Sequence, residues 1–150
     1  MHLERGELQP TKIPSQDDWA GYEDDLDARY AYRVFFGRSI EEVVPLFHEN
    51  PIERCSELSF MPVKPFRYYI LAFRDYLLSE QSREDSDAAS CYLRLIVEKI
   101  DNEPATIGPV LPALRESVQQ VAESQAFYDA DPHIYGNFRE IAARILAACD

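Results

Sequence analysis

The sequence predicts an all-α protein: a single-domain irregular helical bundle of six or seven helices around a central apolar helix at residues 65–79. Three observations carry that prediction. The stretch PFRYYILAFRDYLLS places Phe66, Tyr69, Ile70, Phe73 and Leu77 on one helical face, while Tyr68, Leu71, Ala72, Tyr76 and Leu78 make the opposite face nearly as apolar. A helix apolar almost all round belongs inside other elements. No segment shows the period-two alternation of a half-buried strand, and 5 glycines in 150 residues are few for a turn-rich β fold.

In chain order, residues 1–14 hold two prolines and mixed charge without a period, and are expected to form an extended or mobile arm ahead of one all-α domain over 15–150. Ser15 and Asp18 resemble an acidic capping box, predicting a first helix from before Trp19 to about Phe36 through Trp19, Tyr22, Leu26, Tyr30 and Val34, with Gly21 a possible break and Gly37 as its stop. Ser39 and Glu42 form an S-x-x-E box opening a short helix through Ile40, Val43, Val44 and Phe47, which Pro45 makes less regular. Asn50 and Pro51 read as N-cap and first helical residue of a segment reaching about Leu58.

The Phe60–Pro65 stretch, with Pro62 and Pro65, reads as an ordered linker that delivers Pro65 to the first position of the central helix. After Ser79 comes a polar loop. Asp85 or Ser86 then caps a helix from Asp87 to about Asp101. Pro104, Gly108, Pro109 and Pro112 punctuate the next connection. A helix then runs to Tyr128 through Leu111, Leu114, Val118, Val121 and Gln125. Asp131-Pro132 starts the last one, with Ile134, Phe138, Ile141 and Ile145 as its apolar face to about Ala148.

Charge narrows the function classes. With 15 Lys+Arg against 27 Asp+Glu the net charge is −12, which repels nucleic acid and anionic membrane surfaces and favours a basic protein surface as partner. Cys55, Cys91 and Cys149 form no CxxC pair, and an odd count without a framework fits reduced thiols. The longest uninterrupted apolar run, Tyr68–Phe73, is far short of the roughly 20 residues that span a bilayer. The N-terminal stretch lacks the apolar centre of a signal peptide, so a cytoplasmic location is expected.

The densest acidic feature is Asp17, Asp18, Glu23, Asp24, Asp25 and Asp27, followed by Glu41 and Glu42. It has three readings: carboxylates of a magnesium-type site, a solvated helix start favoured by the macrodipole, or a face for a basic partner. A metal site needs ligands converging from several elements, and neighbours on one helix diverge. Glu49, Glu53 and Glu57 recur every four residues and read as a solvated stripe, since no Glu-x-x-His stands on the other helices. His48 sits at a helix end, and His2 and His133 lie apart from it. No Gly-flanked nucleophile elbow, P-loop or G-x-G-x-x-G occurs, so no catalytic residue, metal or cofactor is assigned. Arg67 and Arg74, seven apart on the central helix, are expected to clamp carboxylates.

The stretches DDLDARYAYRVFFGRSIEEVVPLF, FMPVKPFRYYILAFRDYLLS and SDAASCYLRLIVEKI resemble small acidic bacterial proteins, some of which look like immunity proteins of interbacterial toxin systems. The resemblance covers about half the chain and carries no catalytic motif. It implies a non-catalytic protein that neutralises a cognate toxin by covering its active site. No functional residue follows from it; the local excess of negative charge marks the eight acids above as the expected partner-binding residues. Two rival expectations stand beside it: a carboxylate-dependent metal phosphohydrolase-like helical enzyme, and a structural or adaptor subunit.

Overall fold

A computed structural model describes residues 12–150, so the expected arm over 1–14 lies almost wholly outside the described residues, as does His2. Nine α-helices and no strand occur among the described residues. Two of the nine are single turns, leaving seven of nine residues or more.

The first segment departs from its expected form. Ser15 and Asp18 do bond reciprocally, Ser15 N–H donating to Asp18 Oδ2 at 2.9 Å and Asp18 N–H to Ser15 Oγ at 3.3 Å. They close only a 3₁₀ turn, Asp17–Trp19. Gly21 then turns left-handed at φ 97°, and a second 3₁₀ turn, Tyr22–Asp24, follows. The α-helix α1 begins only at Leu26 (Leu26–Phe35), because Asp25 caps it by accepting from Asp27 N–H at 3.0 Å. Helix α2 (Ile40–Glu49) starts on the expected capping box: Ser39 N–H donates to Glu42 Oε1 at 2.8 Å, and Glu42 N–H to Ser39 Oγ at 3.2 Å. Helix α3 (Pro51–Ser59) has Pro51 at its first position, but Asn50 makes no backbone cap. Its amide donates instead to Glu53 Oε1 at 3.0 Å.

The central helix is α4 (Val63–Leu77), two residues earlier at each end than expected. Pro65 falls inside its first turn, where backbone N–H groups have no helical partner anyway. Ten of its 15 residues are buried, and it packs against α2, α3, the long α5 (Ser86–Asn102) and α7 (Leu111–Glu123). Enclosure from so many sides is what its all-round apolar pattern requires, each fully buried Phe or Leu contributing about 1.5–3 kcal/mol. Tyrosine hydroxyls tie the shell to it: Tyr69 Oη lies 2.7 Å from both the Phe35 and Arg38 carbonyls, pinning the α1–α2 corner.

The polar connection after α4 is ordered, with a 3₁₀ turn at Glu80–Ser82 and the buried Ser82 hydroxyl donating to the Leu77 and Ser79 carbonyls. Asp85 caps α5 through Ala88 N–H at 3.1 Å. A single turn α6 (Pro104–Ile107) and the 3₁₀ turn Gly108–Val110 lead into α7. Helix α7 ends at Glu123 rather than Tyr128. The chain turns there so that the buried Tyr128 hydroxyl reaches the Leu77 carbonyl at 2.7 Å.

Gln125, expected on the apolar face, instead bridges the following segments, donating to Ala130 and Gly136 carbonyls and accepting from Phe138 N–H. The expected last helix is split. Helix α8 (Pro132–Tyr135) stops at Gly136, φ 85°, and α9 (Phe138–Cys149) restarts on Asn137, whose side chain accepts from Arg139 and Glu140 N–H. Ile134 is therefore 73% exposed rather than part of the core face. Helix α9 lies across α5 and α7, completing one helical bundle.

Arg67 and Arg74 do not clamp a carboxylate cluster. Arg67 donates to the Thr106 and Ala105 carbonyls at 2.8 and 2.9 Å, where α6 leaves carbonyls open. Arg74 donates to the Ala113 carbonyl and pairs with its neighbour Asp75 at 2.9 Å.

Candidate functional site

The eight acids singled out in the sequence occupy four places. Asp17 and Asp18 lie on the first 3₁₀ turn, against α4, where Lys64 approaches Asp18 at 3.6 Å. The Ser15 N–H and then its hydroxyl, with Lys64, hold the Asp18 carboxyl below the usual range. Glu23, Asp24 and Asp25 belong to the turn entering α1, and Asp25 is its cap. Glu41 and Glu42 form the first turn of α2, where Glu42 closes the capping box. Asp18, Asp25 and Glu42 thus terminate helical turns whatever else they do. All eight except the half-buried Asp18 are exposed.

Asp27 is placed differently. It faces a groove of about 350 Å³ between α1 and α3, lined by Asp27 and Tyr30 from α1 and by Glu53, Ser56, Glu57 and Phe60 from α3 and its end. The groove follows from helical spacing. Asp27 and Tyr30 are three apart, and Glu53, Ser56, Glu57 and Phe60 step by three, one and three, so each set shares one face of its helix. The face of α3 turned the other way carries the buried Cys55 and Leu58.

Three carboxylates therefore meet two aromatic rims, Tyr30 at 51% and Phe60 at 42% exposure. Glu57 is the deepest, and burial pushes its carboxyl above the usual range while Arg54 opposes that shift. Arg54 Nη2 donates to Glu57 Oε2 at 3.0 Å. A second pair of atoms, Nε and Oε1, lies 2.6 Å apart outside hydrogen-bond geometry, as an ion pair. Glu53 accepts only from Asn50 at its edge. The Tyr30 ring already receives a guanidinium, with Arg33 Cζ 5.4 Å from its centre. Carboxylates beside an aromatic face recognise Lys and Arg side chains by charge and by cation–π attraction. Leu26 and Ile52, 63% and 54% exposed, add apolar surface to the same two helices.

By sequence alone Asp27 stands among the eight acids, whereas Glu53 and Glu57 read as a solvated stripe, Tyr30 falls in the core pattern and Phe60 in the linker. Their recurrence at helical spacing was visible. That the two faces oppose one another was not. His48 donates or accepts at Tyr76 Oη, 3.2 Å away, and Tyr76 in turn bonds Asp85, a link between α2, α4 and the α5 cap. Among the described residues no group of three or more His, Cys, Asp or Glu side chains is placed to hold a metal ion, and no helix is long and apolar enough to cross a membrane. No family model, curated protein or solved structure matches the chain.

Proposed function

We propose that this protein is a non-catalytic, cytoplasmic protein-binding module, and specifically an immunity protein that neutralises a basic bacterial toxin by covering its active site. The observation that supports the reading most directly is the α1–α3 groove, which Asp27, Glu53 and Glu57 line together with the exposed Tyr30 and Phe60. On a chain of net charge −12, such a groove suits the Lys and Arg side chains with which a nucleic-acid-cleaving toxin holds phosphates. Asp17, Asp18, Glu23, Asp24, Asp25, Glu41 and Glu42 widen the negative field that steers a basic partner towards that groove. The acids supply rate and register, and the rim aromatics supply contact area.

The test is stopped-flow association with the protein encoded next to this chain's gene, comparing wild type with the double substitution Asp27→Lys, Glu53→Lys. The association rate is expected to fall about tenfold or more at low salt, with the difference fading near 1 M salt, where screening shortens to about 3 Å. An unchanged rate at low salt rejects the groove as interface. Absence of binding by the wild type rejects the immunity reading.

A further inference from the structure

The buried face of α3 carries chemistry that the groove does not use. Cys55, buried there, points at α5, where its Sγ donates to the Cys91 carbonyl oxygen at 3.5 Å. Both cysteines are free. Cys55 is closed off from solvent, whereas Cys91 is half-exposed. We propose that Cys55 and Cys91 are a modification site, a dithiol that hydroperoxides oxidise to an intramolecular disulfide joining α3 to α5.

The two sulfurs have different roles in that step. The neighbouring Cys55 side chain holds the Cys91 thiol below its usual range, with Arg94 adding to this and burial, Asp87 and Asp85 opposing it. The Cys55 thiol is pushed well up by the neighbouring Cys91 side chain, by burial, and by the negative charge of Cys91 and Glu98. Cys91 is thus the thiolate that meets the oxidant, and Cys55 is the resolving thiol. The Cys91 thiolate attacks the outer oxygen of the hydroperoxide, forming Cys91 sulfenic acid, and the departing alkoxide or hydroxide leaves protonated as alcohol or water. The Cys55 sulfur then attacks the sulfenic sulfur, and its proton leaves with the hydroxyl group as a second molecule, water. The pair loses two electrons and two protons, and the hydroperoxide takes up both electrons. Closure needs the Cys91 side chain to bring its sulfur to about 2 Å from the Cys55 sulfur, which already lies against the Cys91 backbone. Cys149, at the end of α9 beside Arg115, takes no part.

The experiment treats the full chain, as wild type and as Cys149→Ser, with hydrogen peroxide and follows it by non-reducing peptide mapping and intact mass. The expected result is loss of two hydrogens, disappearance of both maleimide-reactive thiols in Cys149→Ser, a peptide linking Cys55 to Cys91 in both proteins, and full recovery with dithiothreitol. In Cys55→Ser, shown folded by circular dichroism, Cys91 is expected to persist as a sulfenic acid that dimedone labels. If that variant does not fold, the wild-type map alone decides. Free alkylation of both thiols after peroxide, or Cys91 sulfinic acid beside an unmodified Cys55, overturns the proposal.

Discussion

Lys99 donates from Nζ to the Ser59 carbonyl at 2.9 Å, although its side chain is only 1% exposed. The ammonium also pairs with Glu103 at 3.0 Å and lies 4.8 Å from the centre of the Phe66 ring. One cation thereby joins the end of α3, the start of α4 and the last turns of α5. Its α5 position also puts positive charge near a helix C-terminus, where the macrodipole favours it.

Truncation at this position should therefore cost more than its place on a polar turn suggests. Lys99→Ala opens a cavity and leaves the Ser59 carbonyl without its donor, and is expected to lose about 2–4 kcal/mol. Lys99→Met keeps the apolar stem and should lose about 1–2 kcal/mol. Urea unfolding of both variants checks the order, and equal losses would place the effect in the lost ammonium contacts alone, with no contribution from stem packing.

Gly136 separates α8 from α9 at φ 85° and ψ 172°, a region that is essentially restricted to glycine. A Cβ there would also lie 3.2 Å from Arg94 Nη2, which donates to the Tyr135 carbonyl at 2.7 Å. Gly136→Ala is expected to destabilise by about 1–3 kcal/mol, read as a lowered midpoint in thermal or urea unfolding. A neutral effect would mean that the α8–α9 corner relaxes freely.

Alkaline pH should unfold this protein through its tyrosines. Burial pushes Tyr128 up to about 12, and raises Tyr69, Tyr76 and Tyr92 further. A folded value above the unfolded one, about 10, means stability that is fully present below pH ~10 and lost as pH climbs through the folded value. Ultraviolet titration should show these phenolates appearing together with loss of helix by circular dichroism. Phenolates that form while the helices persist would contradict the buried placement. Tyr128→Phe should flatten part of this pH dependence and lose about 1 kcal/mol at neutral pH, the bond to Leu77 being removed.

The rim of the groove separates binding from folding. Tyr30→Ala and Phe60→Ala alter half-exposed side chains, so stability is expected to move by no more than about 0.5 kcal/mol. Binding of the basic partner should weaken by about tenfold, mainly through faster dissociation, since rings supply contact rather than long-range attraction. Surface plasmon resonance distinguishes this from the slower association expected of the charge-reversed acids. Loss confined to the on-rate would count against a contacting role for the rings.

Local chemistry was enough to place several helix starts. Ser39 with Glu42, Asp85 before α5 and Pro51 at the head of α3 act within four residues, and each works in the structure as its neighbours in sequence imply. The all-round apolar run of α4 likewise announced its own enclosure. Other outcomes needed distant partners. Helix α7 stops at Glu123 because Tyr128 reaches Leu77 and Gln125 reaches Gly136 and Phe138. The arginines of α4 close on carbonyls of α6 and α7 that no local pattern marks as acceptors. The groove is the clearest case. Asp27 was visible as one acid among eight, and Glu53 and Glu57 as a periodic pair. Only the packing of α1 on α3 turned those two faces towards each other and left Tyr30 and Phe60 uncovered at their edge. Periodicity determines which side of a helix is apolar; which neighbour that side meets is a property of the whole packed core.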